Sequence, residues 1–236
     1  MMNLIVIFAA VLPVAILLWY IYRKDNVAPE PTGQLVKAFA FGIVSVFVSF
    51  CFSIPLNFLG FYTQYPSDFV EASRLAFMGA AVPEEFAKFL MLWLFLRKNR
   101  HFDEKIDGIV YAVCVSLGFA AFENVMYLFQ NYDDFVSVGV SRALFSVPGH
   151  FCFGVLMGYY YSRLKLCGFT TTRDRVLVLA APILAHGVYD SLLFFTEVSE
   201  YLAAILIIIF VVFCFKMWKF AKARIEEFKP DEEKNR

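Results

Sequence analysis

Apolar positions fall into long unbroken runs along this chain, and short polar connections separate them. A helix needs about 20 mostly apolar residues to cross the hydrocarbon core of a bilayer. Seven runs reach that length, at about 3–22, 34–56, 73–96, 107–129, 138–162, 175–195 and 200–218. The pattern predicts an all-α, polytopic transmembrane helical bundle of about seven spans. It forms a single integral-membrane domain over 1–236, with a tail at about 219–236 and no visible soluble domain. The polar-aromatic stretch 57–72 reads as a short interfacial helix or a loop. The first run lacks a basic leader and a small-residue cleavage site, so it is expected to stay as a span rather than act as a removed signal peptide. No internal repeat or low-complexity tract interrupts the pattern.

Composition agrees with the pattern. Hydrophobic residues make up 60% of the 236 positions and charged residues 18%, with 29 Phe, and the mean hydropathy is +0.65. A soluble domain is nearer a quarter charged. The formal net charge is zero, and without a basic stripe nucleic-acid binding is excluded. Five scattered cysteines with no C-x-x-C pair argue against a disulfide framework or a zinc knuckle.

Charge placement orients the spans. Arg23, Lys24 and Lys37 flank the first connection, Arg97, Lys98, Arg100 and Lys105 the third, and Arg163, Lys165, Arg173 and Arg175 the fifth. The tail adds Lys216, Lys219, Lys222, Arg224, Lys229, Lys234 and Arg236. The alternate connections hold only Arg74 and Arg142, beside several acids. Since Lys and Arg concentrate on the cytoplasmic side, the N-terminus is expected outside and the C-terminus in the cytoplasm.

Ionisable residues inside the spans carry the candidate chemistry. These are Glu84, Glu85, Lys88, Glu123, His150, His186 and Asp190. An acid or a lysine near the bilayer centre costs roughly 2.5–3.5 kcal/mol, so the set is expected to converge on itself or on a water-filled cavity. Glu84 and Lys88 share a helix face at i,i+4, as do His186 and Asp190. Lys88 reads as a structural counter-ion to the glutamates. A carboxylate with a histidine can activate water, and a second histidine can stabilise an oxyanion. Two histidines with glutamates are equally a divalent-metal set, and spacing does not choose between the two. Gly154 and Gly158, and Gly118 with Ala121, are expected to let helices approach closely.

The same residues carry a family resemblance. Pro29-Glu30-Pro31, Pro83-Glu84-Glu85-Phe86-Ala87-Lys88, Asp107-Gly108-Ile109-Val110-Tyr111, Gly118 through Glu123-Asn124, His150 and His186-Gly187-Val188-Tyr189-Asp190 occur in order over about residues 20–195. In this the chain resembles the PrsW family of bacterial intramembrane proteases, distant relatives of the CAAX prenyl endopeptidases. It departs from the latter at Glu123, where they carry a histidine, and at Lys88, where they carry an arginine one residue further along.

The resemblance implies a hydrolase of the bacterial cell membrane. Its partner would be a membrane-spanning, anti-sigma-factor-like substrate, cut near the extracytoplasmic face at the start of a stress response. By similarity Glu84 or Glu85 is the general base, Glu123 and His150 complete its setting, and His186 with Asp190 stabilises the oxyanion; the catalytic helices then span about 73–195. No cofactor is expected in this reading. The alternative cofactor is zinc or another divalent ion held by Glu84, Glu123, His150 and His186. A proton-coupled transporter is the alternative of another class, disfavoured because neither an inverted repeat nor a pair of Gly/Pro-broken spans is visible.

Overall fold

The computed structural model describes residues 2–25, 28–168 and 171–229. The end of the expected tail, 230–236 with Lys234 and Arg236, lies outside the described residues. Among those residues the secondary structure is helical, without a strand: α1 (Met2–Tyr22), α2 (Thr32–Phe58), α3 (Phe69–Arg74), α4 (Val82–Leu96), α5 (Lys105–Gln130), α6 (Phe135–Ser141), α7 (Val147–Leu166), α8 (Thr172–Val198) and α9 (Ala203–Phe228). Among the described residues six helical stretches are long and apolar enough to cross a membrane. The third expected run is also helical from 69 to 96, but α3 and α4 are joined there by a π-helical segment, Leu75–Ala81. A second π segment, Arg142–Ser146, joins α6 to α7. The 57–72 stretch is a loop that enters α3, tied down by the Tyr62 hydroxyl donating to the Ser53 carbonyl over 3.0 Å.

Both π segments have a local cause. Each α-helix that follows one opens with Val-Pro, at Val82-Pro83 and Val147-Pro148. A proline ring clashes with the carbonyl four residues back and has no N–H to give it. Widening the turn avoids the clash: the Val82 N–H reaches the Phe77 carbonyl, and the Val147 N–H reaches that of Arg142, each five residues back. No pair of Gly/Pro-broken spans is expected, and these two helices are widened rather than broken; π turns of this kind occur often at functional sites.

α5 is the axis of the bundle. It is buried on all sides from Ile106 to Ala121 and packs against α7, α2 and α1. Small residues set those distances. A Cβ at Gly42 of α2 would fall 2.0 Å from the Val115 carbonyl oxygen, and one at Gly158 of α7 would fall 2.2 Å from that of Gly108. The close approaches expected at Gly118, Gly154 and Gly158 are present. α9 lies at the other extreme, with Ile205, Ile207, Ile208, Val212 and Phe215 exposed. In a multi-pass membrane protein that surface faces acyl chains. α5 begins with a capping box in which Glu104 and Asp107 accept each other's backbone N–H, two donors satisfied reciprocally at the helix start.

Candidate active site

Four helices bring the seven expected residues together. α4 supplies Glu84, Glu85 and Lys88, α5 supplies Glu123, α7 supplies His150, and α8 supplies His186 and Asp190. Lys88 is 1% exposed, and its ammonium has three acceptors: Glu85 Oε1 at 2.8 Å, His150 Nδ1 at 3.1 Å and Glu84 Oε2 at 3.4 Å. Its remaining face lies 4.1 Å from the centre of the Phe119 ring, a cation–π contact that helps replace lost hydration. A lysine has three donors and no acceptor, so Lys88 is fully used.

That assignment fixes His150. Its Nδ1 must accept from Lys88, so the ring proton sits on Nε2 and is donated to Glu123 Oε2 over 2.9 Å. This tautomer is assigned from the hydrogen bonds. The Ser116 hydroxyl donates to the His150 backbone carbonyl over 2.6 Å and holds the helix start in place.

His186 has the opposite setting. Carboxylates stand at both nitrogens, Glu85 Oε1 2.9 Å from Nδ1 and Asp190 Oδ2 3.2 Å from Nε2, with Glu84 Oε2 4.0 Å from Nε2. The ring stacks on Phe153 at 4.6 Å between centroids. The neighbouring Gly187 leaves room for Phe77 of the first π segment, whose ring would lie 2.3 Å from a Cβ there.

Adjacent residues on a helix point about 100° apart, and this separates the two glutamates. Glu85 is wholly buried between Lys88 and His186, whereas Glu84 is 16% exposed. Glu84, Glu123, His150, His186 and Asp190 line one cavity of about 390 Å³. Neither Glu85 nor Lys88 lines it.

Arg142 also lines this cavity, although by sequence it belongs to an outer connection. Its Nη2 donates to Glu123 over 2.8 Å and its Nε to Asn124 Oδ1 over 2.6 Å, while Asn124 donates to the Ala10 carbonyl over 2.7 Å. The guanidinium also lies 4.0 Å from the centre of the Tyr127 ring. The available signal was an arginine in a connection otherwise almost free of basic residues.

Residues 30–217 match the PrsW family, described as intramembrane metalloproteases. The chain belongs to the PrsW family. It is 34% identical over 230 residues to Protease PrsW of Clostridioides difficile (strain 630), covering 96% of this chain and 92% of that one. It is 37% identical over 194 residues to Protease PrsW of Geobacillus kaustophilus (strain HTA426), covering 81% and 80%. To Protease PrsW of Bacillus subtilis (strain 168) it is 33% identical over 223 residues, covering 93% and 95%. No solved structure matches. The chain is thus a multi-pass bacterial membrane protein and an intramembrane peptidase.

The PrsW family's description implies a metal, and the donor set fits one. Glu84, Glu123 and His150 offer ligand atoms within 4.8 Å of one another, and one imidazole with two carboxylates suits zinc. His186 has Nδ1 backed by the Glu85 carboxylate, the outer-shell arrangement that orients a metal-binding imidazole. Binding through His150 Nε2 sets one condition: its proton must move to Nδ1, and Lys88 must turn away. The family's description favours the alternative of zinc or another divalent ion over the expectation of no cofactor.

Proposed function

We propose that this PrsW-family protease hydrolyses a peptide bond of a membrane-spanning, anti-sigma-factor-like protein near the extracytoplasmic face, using water activated by Glu84. The observation that carries the reading is the division between the two glutamates: Glu84 opens onto the cavity while Glu85 is buried on Lys88 and His186. A base must reach its water, and only Glu84 of the pair can. Its carboxylate takes the proton as the water oxygen attacks the scissile carbonyl, then returns it to the leaving amine. His186 lines the same cavity, and turning its Nε2–H from Asp190 toward the developing oxyanion would stabilise that charge. His150 and Arg142 hold Glu123 in place in the same cavity.

Orientation rests on the alternation of Lys and Arg among the connections, with the N-terminus outside and the C-terminus in the cytoplasm. Glu123 and Asp190 lie toward the ends of α5 and α8 that meet the acid-bearing connections, which supports cleavage toward the outer face. In this reading the whole of 1–236 is one integral-membrane domain, and 73–195 are its catalytic helices.

The metal-dependent form is the second reading, favoured by the family's description and by the compact ligand set. Glu84, Glu123 and His150 would hold the ion, which would polarise the carbonyl and acidify water.

Co-expression with a tagged single-span anti-sigma-type substrate tests the proposal. Wild type should shorten the substrate, and Glu84→Gln and His186→Ala, once shown to insert and accumulate, should leave it intact. Cleavage that survives Glu84→Gln overturns the assignment of the base. Purified protein separates the two readings: inhibition by a chelator with recovery on zinc, and metal content lowered by Glu84→Gln, selects the metal-dependent one.

A further inference from the structure

A second cluster of acids lies at the other end of α5. Asp25 and Glu30 come from the α1–α2 connection, and Glu104 and Asp107 from the start of α5. Asp107 and Glu123 are 16 positions apart on one helix, about 24 Å at 1.5 Å per residue, so this cluster is separate from the catalytic cavity. Asp25, Glu30 and Asp107 are 2%, 5% and 1% exposed. Oxygen atoms of Asp25, Glu104 and Asp107 lie within 4.8 Å of one another.

Burying carboxylates together is costly unless a positive charge joins them. Glu30, Glu104 and Asp107 form no ion pair among the described residues. The α5 N-terminus contributes only about half a positive charge. Asp107 Oδ2 accepts from the backbone N–H groups of Asp103 and Glu104, and the Tyr111 hydroxyl donates to Glu30. Two buried oxygens still lack a hydrogen-bond partner: Asp107 Oδ1 and Glu104 Oε2. Asp107 is therefore a fully buried carboxylate, within the cluster, with one oxygen unused.

We propose that Asp25, Glu104 and Asp107, with Glu30 beside them, form a binding site for a hard divalent cation of the Mg²⁺ or Ca²⁺ type, clamping the α1–α2 connection onto the start of α5. All the side-chain donors are oxygens, with neither histidine nor cysteine among them, which matches the preference of these cations. The site stands whether or not the catalytic cavity uses a metal. The competing occupant is a proton held on one of the clustered carboxylates, which removes a buried charge without a cation.

The test is a titration of the purified, metal-stripped full-length protein in detergent with Mn²⁺, read by electron paramagnetic resonance, with Mg²⁺ and Ca²⁺ as competitors. Wild type is compared with Asp25→Asn, Glu104→Gln and Asp107→Asn, and with the cavity variant Glu123→Gln. The amides keep a carbonyl oxygen as acceptor, and circular dichroism confirms the helical fold. The proposal expects one Mn²⁺ equivalent, displaced by Mg²⁺ or Ca²⁺, to weaken at least tenfold in the three cluster variants and persist in Glu123→Gln. Binding that is absent, or lost only in Glu123→Gln, overturns it and leaves the proton as the occupant. Should Asp107→Asn fail to fold because the α5 cap is weakened, Asp25→Asn and Glu104→Gln decide.

Discussion

Nδ1 of His186 lies 2.9 Å from Oε1 of Glu85, joining α8 to α4 across 101 positions of sequence. The same oxygen lies 2.8 Å from Lys88, so one buried carboxylate positions both a cation and a histidine. Glu85 thereby orients the site without lining the cavity.

The two glutamates should consequently fail in different ways. Glu84→Gln is expected to abolish cleavage while leaving thermal stability close to wild type. Glu85→Gln removes one charge from a buried network, a change that costs about 3–5 kcal/mol, so it should lower both stability and activity. Cleavage assays paired with thermal melts in detergent check this, and equal melting points for the two variants would contradict it.

Lys88 should not tolerate substitution. Lys88→Ala leaves Glu85 buried without its cation and should sharply reduce accumulation in the membrane. Lys88→Arg should not restore it, because a planar guanidinium does not reproduce three acceptors around one nitrogen. Immunoblots of membrane fractions measure the outcome, and normal levels of Lys88→Ala would argue against a structural counter-ion.

Arg142 binds two partners through two different nitrogens. Arg142→Lys can satisfy only one of them well, and it is expected to lower kcat by at least tenfold while the protein accumulates normally. A lysine variant as active as wild type would show that the link between Asn124 and Glu123 is dispensable.

Gly158 meets backbone that cannot give way. Gly158→Ala places a methyl group 2.2 Å from the Gly108 carbonyl oxygen, and overpacking of this kind costs about 1–3 kcal/mol. Gly187→Ala instead meets the Phe77 side chain, so the second substitution Phe77→Leu should restore part of its lost activity. No such rescue is expected for Gly158→Ala. Melting temperatures and cleavage rates of the single and double variants test the contrast.

Much of this was legible along the chain. Runs of about 20 apolar residues specify membrane-spanning helices because a lipid core leaves backbone groups no other partner. Ionisable residues within those runs mark the candidate site, because charge is costly there unless it is paired or faces water. Chain order could not separate Glu84 from Glu85, which are identical neighbours in a strongly apolar setting. Their difference is one of helical phase, visible only once Lys88 and His186 occupy one side and the cavity the other. Arg142 was only partly legible: it stands out as a basic residue in an acid-bearing connection, but its contact with Glu123 depends on how α5 and α7 pack. The acid cluster at the start of α5 likewise needs the α1–α2 connection folded against it. Local hydropathy and proline placement are properties of the chain, so the sequence determined the helices and the candidate chemistry. Which carboxylate lines the cavity depends on contacts between residues far apart, and only the tertiary structure decided it.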